Sequence, residues 1–166
     1  DRGEEVRATL RTGVRLAAVL VPLQIFVGDL HGLNTLEHQP AKVAAMEGLW
    51  KTQRGAPLLL FAVPDAELKE NRFAIGIPRG ASLILRHDLN AQVRGLEEFP
   101  DAHPPVGPVF WAFRIMVGIG VLMLLVAWSG AWLTRGGREP RRGWLRLAVF
   151  MTFAGWFATL AGWYVT

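Results

Sequence analysis

Three long apolar stretches constrain the fold of this chain more than any other feature of its sequence. The strongest covers about residues 109–133 and carries a single charge, Arg114, while the second covers about residues 147–165 and carries none. The weakest covers about residues 8–27. Because a helix that crosses a bilayer needs about 20 mostly apolar residues, the pattern predicts an all-α membrane protein. Its three transmembrane helices would belong to a larger helical bundle.

The weakest stretch carries four residues that are unfavourable in lipid. Arg11 and Arg15 would have to extend toward one membrane interface, where their charged groups stay hydrated. Pro22 and Gln24 lie inside the apolar run and need polar partners from neighbouring helices or a cavity. This span is therefore expected to be only partly exposed to lipid.

Apart from Arg114, the basic residues outside the long central segment form two groups near the ends of the apolar stretches. They are Arg2, Arg7, Arg11 and Arg15 in the first group, and Arg135, Arg138, Arg141, Arg142 and Arg146 in the second. Since Lys and Arg in short flanking segments favour the cytoplasmic side, both groups are expected in the cytoplasm. Residues 28–105 hold eight basic and ten acidic residues, so this long segment is expected to be extracytoplasmic.

These assignments divide the chain into five parts. They are a cytoplasmic flank with a transmembrane helix (1–27), a folded extracytoplasmic loop (28–105), a transmembrane helix (106–133), a basic cytoplasmic loop (134–146) and a final transmembrane helix (147–166). The chain opens on Asp1 instead of Met and stops directly after an apolar run. We therefore expect a fragment of a longer multi-pass protein.

Composition argues against sites that need cysteine and against a nucleic-acid partner. The chain has no cysteine, which excludes a disulfide framework and a thiolate metal site. Its net charge of +4 would suit a nucleic-acid partner, but the arginines adjoin apolar spans instead of forming a basic face on a soluble fold. The expected surroundings are therefore a lipid bilayer, with no nucleic acid.

The long loop contains its own local structure signals. Pro40 stands where a helix begins, since its missing N–H costs nothing in a first turn. Apolar residues recur at helical spacing after it and predict one apolar face; they are Val43, Met46, Leu49 and Trp50. A turn is expected at residues 63–65 and a short extended segment at residues 71–78.

Several polar motifs occur in an order and spacing that hydrophobicity alone would not produce. They are GDLHG at 28–32, QPAKVAAMEGLW at 39–50, PD at 64–65, NRFAI at 71–75 and FWAFRIMVG at 110–118. Together they resemble the middle of cytochrome bd ubiquinol oxidase subunit I. The compact passage from Val93 to Val106 resembles the family's short-loop branch, which includes the cyanide-insensitive oxidases. AGWYV at 161–165 resembles the segment before a haem-associated carboxylate, which is expected directly after Thr166.

The resemblance implies part of a terminal respiratory quinol oxidase of the bacterial cytoplasmic (inner) membrane. Electrons would pass from membrane quinol at the extracytoplasmic loop, through a low-spin haem b, to a di-haem site that reduces oxygen to water and contributes to the proton gradient. High-spin haem b and haem d would belong to the complete subunit. The implied partners are the rest of subunit I, a second membrane subunit, quinol, oxygen and lipid.

The same resemblance implies four site residues. Met116 would be an iron ligand of the low-spin haem b, and a soft thioether suits a haem that accepts electrons from quinol. Arg114 would stabilise this haem by pairing with a propionate. Lys42 and Glu47 would bind and oxidise quinol, since a cation can orient its ring oxygens and a carboxylate can accept its proton. Lys42 and Glu47 are five residues apart and are expected to point to different sides of their helix.

For Met116, Arg114 and Glu47 a structural role is the alternative. Met116 would then only pack between helices, Arg114 would reach lipid phosphate, and Glu47 would form a solvated ion pair with Lys51. For the whole protein, the alternatives are a membrane haem b subunit that exchanges electrons with quinone without using oxygen, and a transporter segment in which Arg114 is a substrate counter-ion.

The remaining polar residues are interpreted as structural. Four histidines, His31, His38, His87 and His103, all lie in the loop, and only the first two are considered for contact with quinone. Asp29, at the end of the first predicted span, is expected to cap the loop, and a role in quinol chemistry is the alternative. The two glycines of Gly118-Ile119-Gly120 suggest close approach of a helix or haem and form no nucleotide motif.

Overall fold

The computed structural model describes residues 2–100 and 103–165. Thr166, and the haem-associated carboxylate that is expected after it, lie outside the described residues. The helices are α1 (Arg2–His38), α2 (Pro40–Glu47), α3 (Gly80–Arg86), α4 (Val106–Leu133), α5 (Arg142–Phe150) and α6 (Ala154–Val165). The strands are β1 (Gln53–Arg54), β2 (Leu58–Asp65), β3 (Glu70–Ile77) and β4 (Gln92–Val93). Single 3-10 turns lie at Leu96–Glu98, Arg135–Gly137 and Met151–Phe153.

Among the residues that the structure describes, three helical stretches are long and apolar enough to cross a membrane. They are Gly3–His38, Val106–Leu133 and Arg142–Val165, with mean hydropathies of 1.7, 2.3 and 1.4 in their most apolar windows. The helical membrane architecture is therefore confirmed, and α4 is the strongest span as predicted. The predicted order of the other two is reversed, because glycines and tryptophans lower the mean hydropathy of the third stretch.

Helix α1 is longer than the apolar stretch that predicts it. It continues from residue 27 to His38, so Asp29 lies inside the helix and the expectation that it caps the loop is wrong. The helix ends before Gln39, whose backbone is non-helical at φ −135° and ψ 60°. This end has a simple cause, since the residue before a proline is disfavoured in the α region and Pro40 follows.

The described residues form two compact units. One comprises residues 2–28 and 115–160, and the other comprises residues 29–100, 103–114 and 161–165. In the first unit, tryptophans join the helices through their indole N–H groups. Trp128 donates to the carbonyl oxygen of Ala18 at 3.1 Å, and Trp144 donates to Ser129 Oγ at 3.0 Å. Helices α5 and α6 are joined by a 3-10 turn, so the third span begins at Arg142, earlier than predicted.

The second unit contains α2, which begins at Pro40 as predicted. The apolar side of α2 is packed against the start of α4, in a buried cluster that contains Ala44, Ala45, Trp50, Val106 and Val109. Of the two expected locations for this helix, the membrane surface or the side of other helices, the structure shows the second.

The second unit also contains an antiparallel hairpin of β2 and β3. Residues 71–77 lie in β3, which confirms the predicted extended segment. The turn predicted at 63–65 is wrong, because these residues belong to β2 and the chain reverses at residues 66–69. Asp65 Oδ1 accepts hydrogen bonds from the backbone N–H groups of Glu67 and Leu68, both at 3.1 Å, which places the turn after the aspartate.

Candidate functional site

Glu47 is the last residue of α2 and is almost completely buried. Its side chain is 6% exposed, and its Oε2 atom accepts no hydrogen bond from the described residues. The nearest cation is Arg114 of α4, whose Nη2 lies 3.8 Å from Oε2. Because buried carboxylate oxygens are normally hydrogen-bonded, Oε2 is able to accept a hydrogen bond from a further donor.

Arg114 joins three elements of the second unit. Its Nε donates to the carbonyl oxygen of Leu59 in β2 at 2.8 Å, and its Nη1 donates to that of Met46 in α2 at 2.5 Å and to that of Phe110 at 3.3 Å. The guanidinium carbon also lies 3.4 Å from the centre of the Phe110 ring. These contacts use the planar fork of donors that distinguishes arginine from lysine.

The single charge of the strongest span lies beside an anion, since the structure places Glu47 next to Arg114. A guanidinium inside an apolar span is costly unless it is paired. The Arg114 side chain is only 11% exposed, and its contacts are with protein groups. They therefore do not fit the alternative in which Arg114 reaches lipid phosphate. Contact of Arg114 with a haem propionate stays a prediction.

The environment of Glu47 changes its acidity. Burial raises the pKa of the Glu47 carboxyl from its usual value of 4.5 to about 7, and the nearby Arg114 guanidinium offsets part of this increase. A carboxyl group with a pKa near the working pH can both accept and release a proton. Residues with strongly shifted pKa values occur often at functional sites, and structural ion pairs can shift a pKa as well.

Lys42 and Glu47 lie on different sides of α2, as their spacing predicts. Lys42 lines an open cavity of about 410 Å³ together with His38 and Phe99, and Glu47 does not line it. The alternative of a solvated Glu47–Lys51 pair is wrong, because α2 ends at Glu47 and the carboxylate is directed to Arg114. The two residues assigned to quinol are therefore not brought together within this chain.

His38 is the only histidine of the four that lines this cavity, within the part of the chain that the structure describes. Its Nδ1 lies 3.0 Å from the carbonyl oxygen of Asn34, one turn earlier in α1. His31 is an exposed residue of α1. Contact of either histidine with quinone stays a prediction.

Met116 is a half-buried residue of α4, two positions after Arg114. Two helical positions correspond to a rotation of about 200°, so the thioether and the guanidinium leave α4 on nearly opposite sides. A thioether can bind a haem iron, so Met116 would be the residue of this chain that holds haem b. Across residues 2–100 and 103–165, no cluster of three or more His, Cys, Asp or Glu side chains could hold a metal ion. Met116 would therefore hold a haem iron only together with ligands from outside the described residues.

Sequence reasoning missed a second set of polar contacts at the end of α2. Asn71 of β3 donates from Nδ2 to the carbonyl oxygen of Gly48 at 2.8 Å, and its Oδ1 accepts a hydrogen bond from Trp50 Nε1 at 3.1 Å. Both Asn71 and Trp50 belong to the motifs that carry the resemblance. Their place in these motifs was the only signal available in the sequence, because Asn71 lies between the charged residues Glu70 and Arg72.

Position 48 requires glycine, both for its backbone conformation and because a side chain would have no room there. Its φ is +65°, and a Cβ there would lie 3.0 Å from the ring of Phe110. Gly48→Ala should therefore reduce the free energy of unfolding by about 2 kcal/mol or more, through left-handed strain and displacement of the ring. The measurement is thermal unfolding of the purified membrane complex. Gly107→Ala is the control, since a Cβ there has no neighbour within 4 Å; an equal effect of both changes would contradict the explanation.

Comparison with known proteins places these features in a family. The model of the family described as "Cytochrome bd terminal oxidase subunit I" matches residues 1–166. The chain belongs to this family. The match covers both compact units, including the polar motifs of the loop and all three spans.

Individual relatives agree with the family. The chain is 32% identical to "Cytochrome bd ubiquinol oxidase subunit 1" of Bacillus subtilis (strain 168), with 80% of this chain and 32% of the relative covered. It is 27% identical to "Cytochrome bd-II ubiquinol oxidase subunit 1" of Escherichia coli (strain K12), with 95% and 46% covered. The solved bd oxidase from Geobacillus thermodenitrificans matches with a TM-score of 0.84 and 31% identity, over 96% of this chain and 37% of the solved chain. The chain therefore spans between about a third and a half of the length of these relatives.

Proposed function

We propose that the chain is part of a terminal respiratory quinol oxidase, in which the loop of residues 28–105 oxidises membrane quinol. The observation that carries the proposal is the buried Glu47 carboxylate, held beside Arg114 with one oxygen able to accept a further hydrogen bond. The family and its relatives supply the chemical context, since two of them are named as ubiquinol oxidase subunits.

Glu47 is the proton acceptor in this proposal. Oxidation of a quinol releases two protons with two electrons, and a carboxylate with a pKa near 7 can take up such a proton at neutral pH. Arg114 stabilises the ionised carboxylate, and its contacts with three carbonyl oxygens keep it in place. Lys42 has the separate role of orienting a quinol oxygen at the cavity beside α2.

Met116 is proposed as an iron ligand of low-spin haem b, and Arg114 as a residue that would stabilise the same haem. When bound, haem b would accept electrons from quinol one at a time. The complete subunit would also hold high-spin haem b and haem d, and a second membrane subunit would complete the complex. The chain's own contribution is to supply the thioether from α4.

The proposed location is the bacterial cytoplasmic membrane, with residues 28–105 on the extracytoplasmic side. Three membrane-length helices support the multi-pass arrangement. The orientation rests on the arginines that flank the first span and fill the short connection after Leu133.

The purified complete complex tests the function. We expect a reduced-minus-oxidised spectrum with haem b bands, together with oxygen consumption that depends on added quinol. Reduction of haem by quinol without oxygen consumption would instead identify a non-oxidase haem b subunit. A colourless complex would contradict the haem proposal and favour the transporter alternative.

A further inference from the structure

The backbone carbonyl groups on both sides of Glu47 are held by side chains from other elements. The carbonyl oxygen of Met46 accepts a hydrogen bond from Arg114 Nη1 at 2.5 Å, and that of Gly48 accepts one from Asn71 Nδ2 at 2.8 Å. Arg114 comes from α4, whereas Asn71 comes from β3. The residue between these two carbonyl groups is therefore fixed from two directions.

Asn71 is suited to this contact because both ends of its amide are used. While Nδ2 donates to Gly48, Oδ1 accepts from the indole N–H of Trp50, whose side chain is part of the buried cluster between α2 and α4. The two contacts need a donor and an acceptor on separate atoms of one short side chain, and the asparagine amide provides both. Asn71 is also held by its own strand, since it pairs with Pro64 across the hairpin.

The turn that Asn71 contacts is the point where the chain leaves the end of α2. Gly48 takes the left-handed conformation, and Leu49 N–H donates to the carbonyl oxygen of Ala44 at 2.9 Å to close the end of the helix. Without Asn71, the Gly48 carbonyl and the Trp50 indole would both lose their partner, which is costly for partly buried polar groups. The last turn of α2 would then open more readily, and Glu47 lies in it.

We propose that Asn71 is a positioning residue for Glu47, which keeps the carboxylate buried beside Arg114 by clamping the turn at Gly48. The inference rests on the proposed function of Glu47 as a proton acceptor. Asn71 itself does not contact the carboxylate oxygen in question, so its effect would be transmitted through the backbone of Gly48 and the ring of Trp50.

The hydrogen bonds of Asn71 to Gly48 and Trp50 should also affect the pKa of Glu47. Among the described residues, Arg114 of α4 is the charged group that faces Glu47, while β3 contributes the neutral Asn71. The other charged side chains nearby in sequence, Lys51 and Arg72, are exposed. Since burial is the main reason for the raised pKa of Glu47, a turn that admits water should lower that pKa toward its usual value.

Asn71→Leu in the complete oxidase complex tests the proposal, because leucine has a similar size and forms neither hydrogen bond. We expect quinol oxidation to fall about tenfold, in line with the loss of two hydrogen bonds, and the acid limb of its pH profile to shift down by about one unit or more. Oxidation of an artificial electron donor and the haem spectrum should not change. An assembled variant with the kcat and pH profile of the unmodified complex would overturn the inference.

Two further variants complete the experiment. Asn90→Leu makes the same chemical change in an exposed turn and should leave both rates and the pH profile unchanged. If Asn71→Leu does not assemble, Asn71→Ser removes the amide with less disturbance and is judged by the same two outcomes. Glu47→Gln is measured in parallel: no effect there would refute the proposed function, whereas an effect there with none at Asn71 would refute only the positioning role.

Discussion

Replacing Met116 with leucine is expected to remove the low-spin haem b bands from the reduced-minus-oxidised spectrum, or to lower the midpoint potential of that haem by on the order of 0.1 V. Leucine preserves the volume and apolar character of the side chain but has no atom that can bind iron, so the subunit should still insert and assemble. The measurement is a potentiometric titration of the purified complex, followed through the haem b absorbance.

Met123→Leu is the matched control for this change. Met123 lies on the same helix α4, beside α1 and α5, and the same substitution there should leave the spectrum and the potential unchanged. A spectrum that is unaltered in Met116→Leu would remove Met116 from the haem site and leave its packing role as the explanation. Equal effects of the two variants would indicate a general disturbance of α4.

Glu47→Gln is expected to reduce quinol-dependent oxygen consumption by about 100-fold or more, the usual scale for loss of a general base. Glutamine keeps the shape of the side chain but cannot accept a proton. The rate with an artificial electron donor that bypasses the quinol site should remain close to that of the unmodified complex. Equal loss with both donors would instead indicate a structural role for Glu47.

The proton-acceptor role of Glu47 also predicts the direction in which the quinol oxidation rate changes with pH. With a pKa of about 7, Glu47 is protonated at lower pH and cannot accept a further proton. The quinol oxidation rate should therefore rise with pH and level off above about 7, and Glu47→Gln should lose this dependence. Glu67→Gln, at the exposed turn of the hairpin, is the control and should keep the unmodified profile.

The spans and α2 were predictable because their signals are local. An apolar run of sufficient length predicts a membrane helix without knowledge of its neighbours, and Pro40 followed by apolar residues at helical spacing predicts α2. Strand β2 was missed for a related reason, since LLLFAVPD at 58–65 is almost continuously apolar and lacks the alternation that marks a half-buried strand.

The contacts of Glu47 were not predictable from local patterns. Arg114 lies 67 positions later in the chain, so their approach depends on how the loop folds against the start of α4. The expected pair with Lys51 assumed a helix that continued for one more turn, and Gly48 ends that helix directly after Glu47. The sequence identified both residues as candidates through the family motifs, and only the structure shows that they contact each other.

The contacts of Arg114 also bear on how this protein loses structure. Opening the loop around α2 or β2 means withdrawing one guanidinium from the carbonyl oxygens of Leu59 and Met46. Segments that share such contacts tend to unfold as a cooperative unit. The first two turns of α4 should therefore melt together with the loop, and their amide hydrogens should exchange with solvent in the same step.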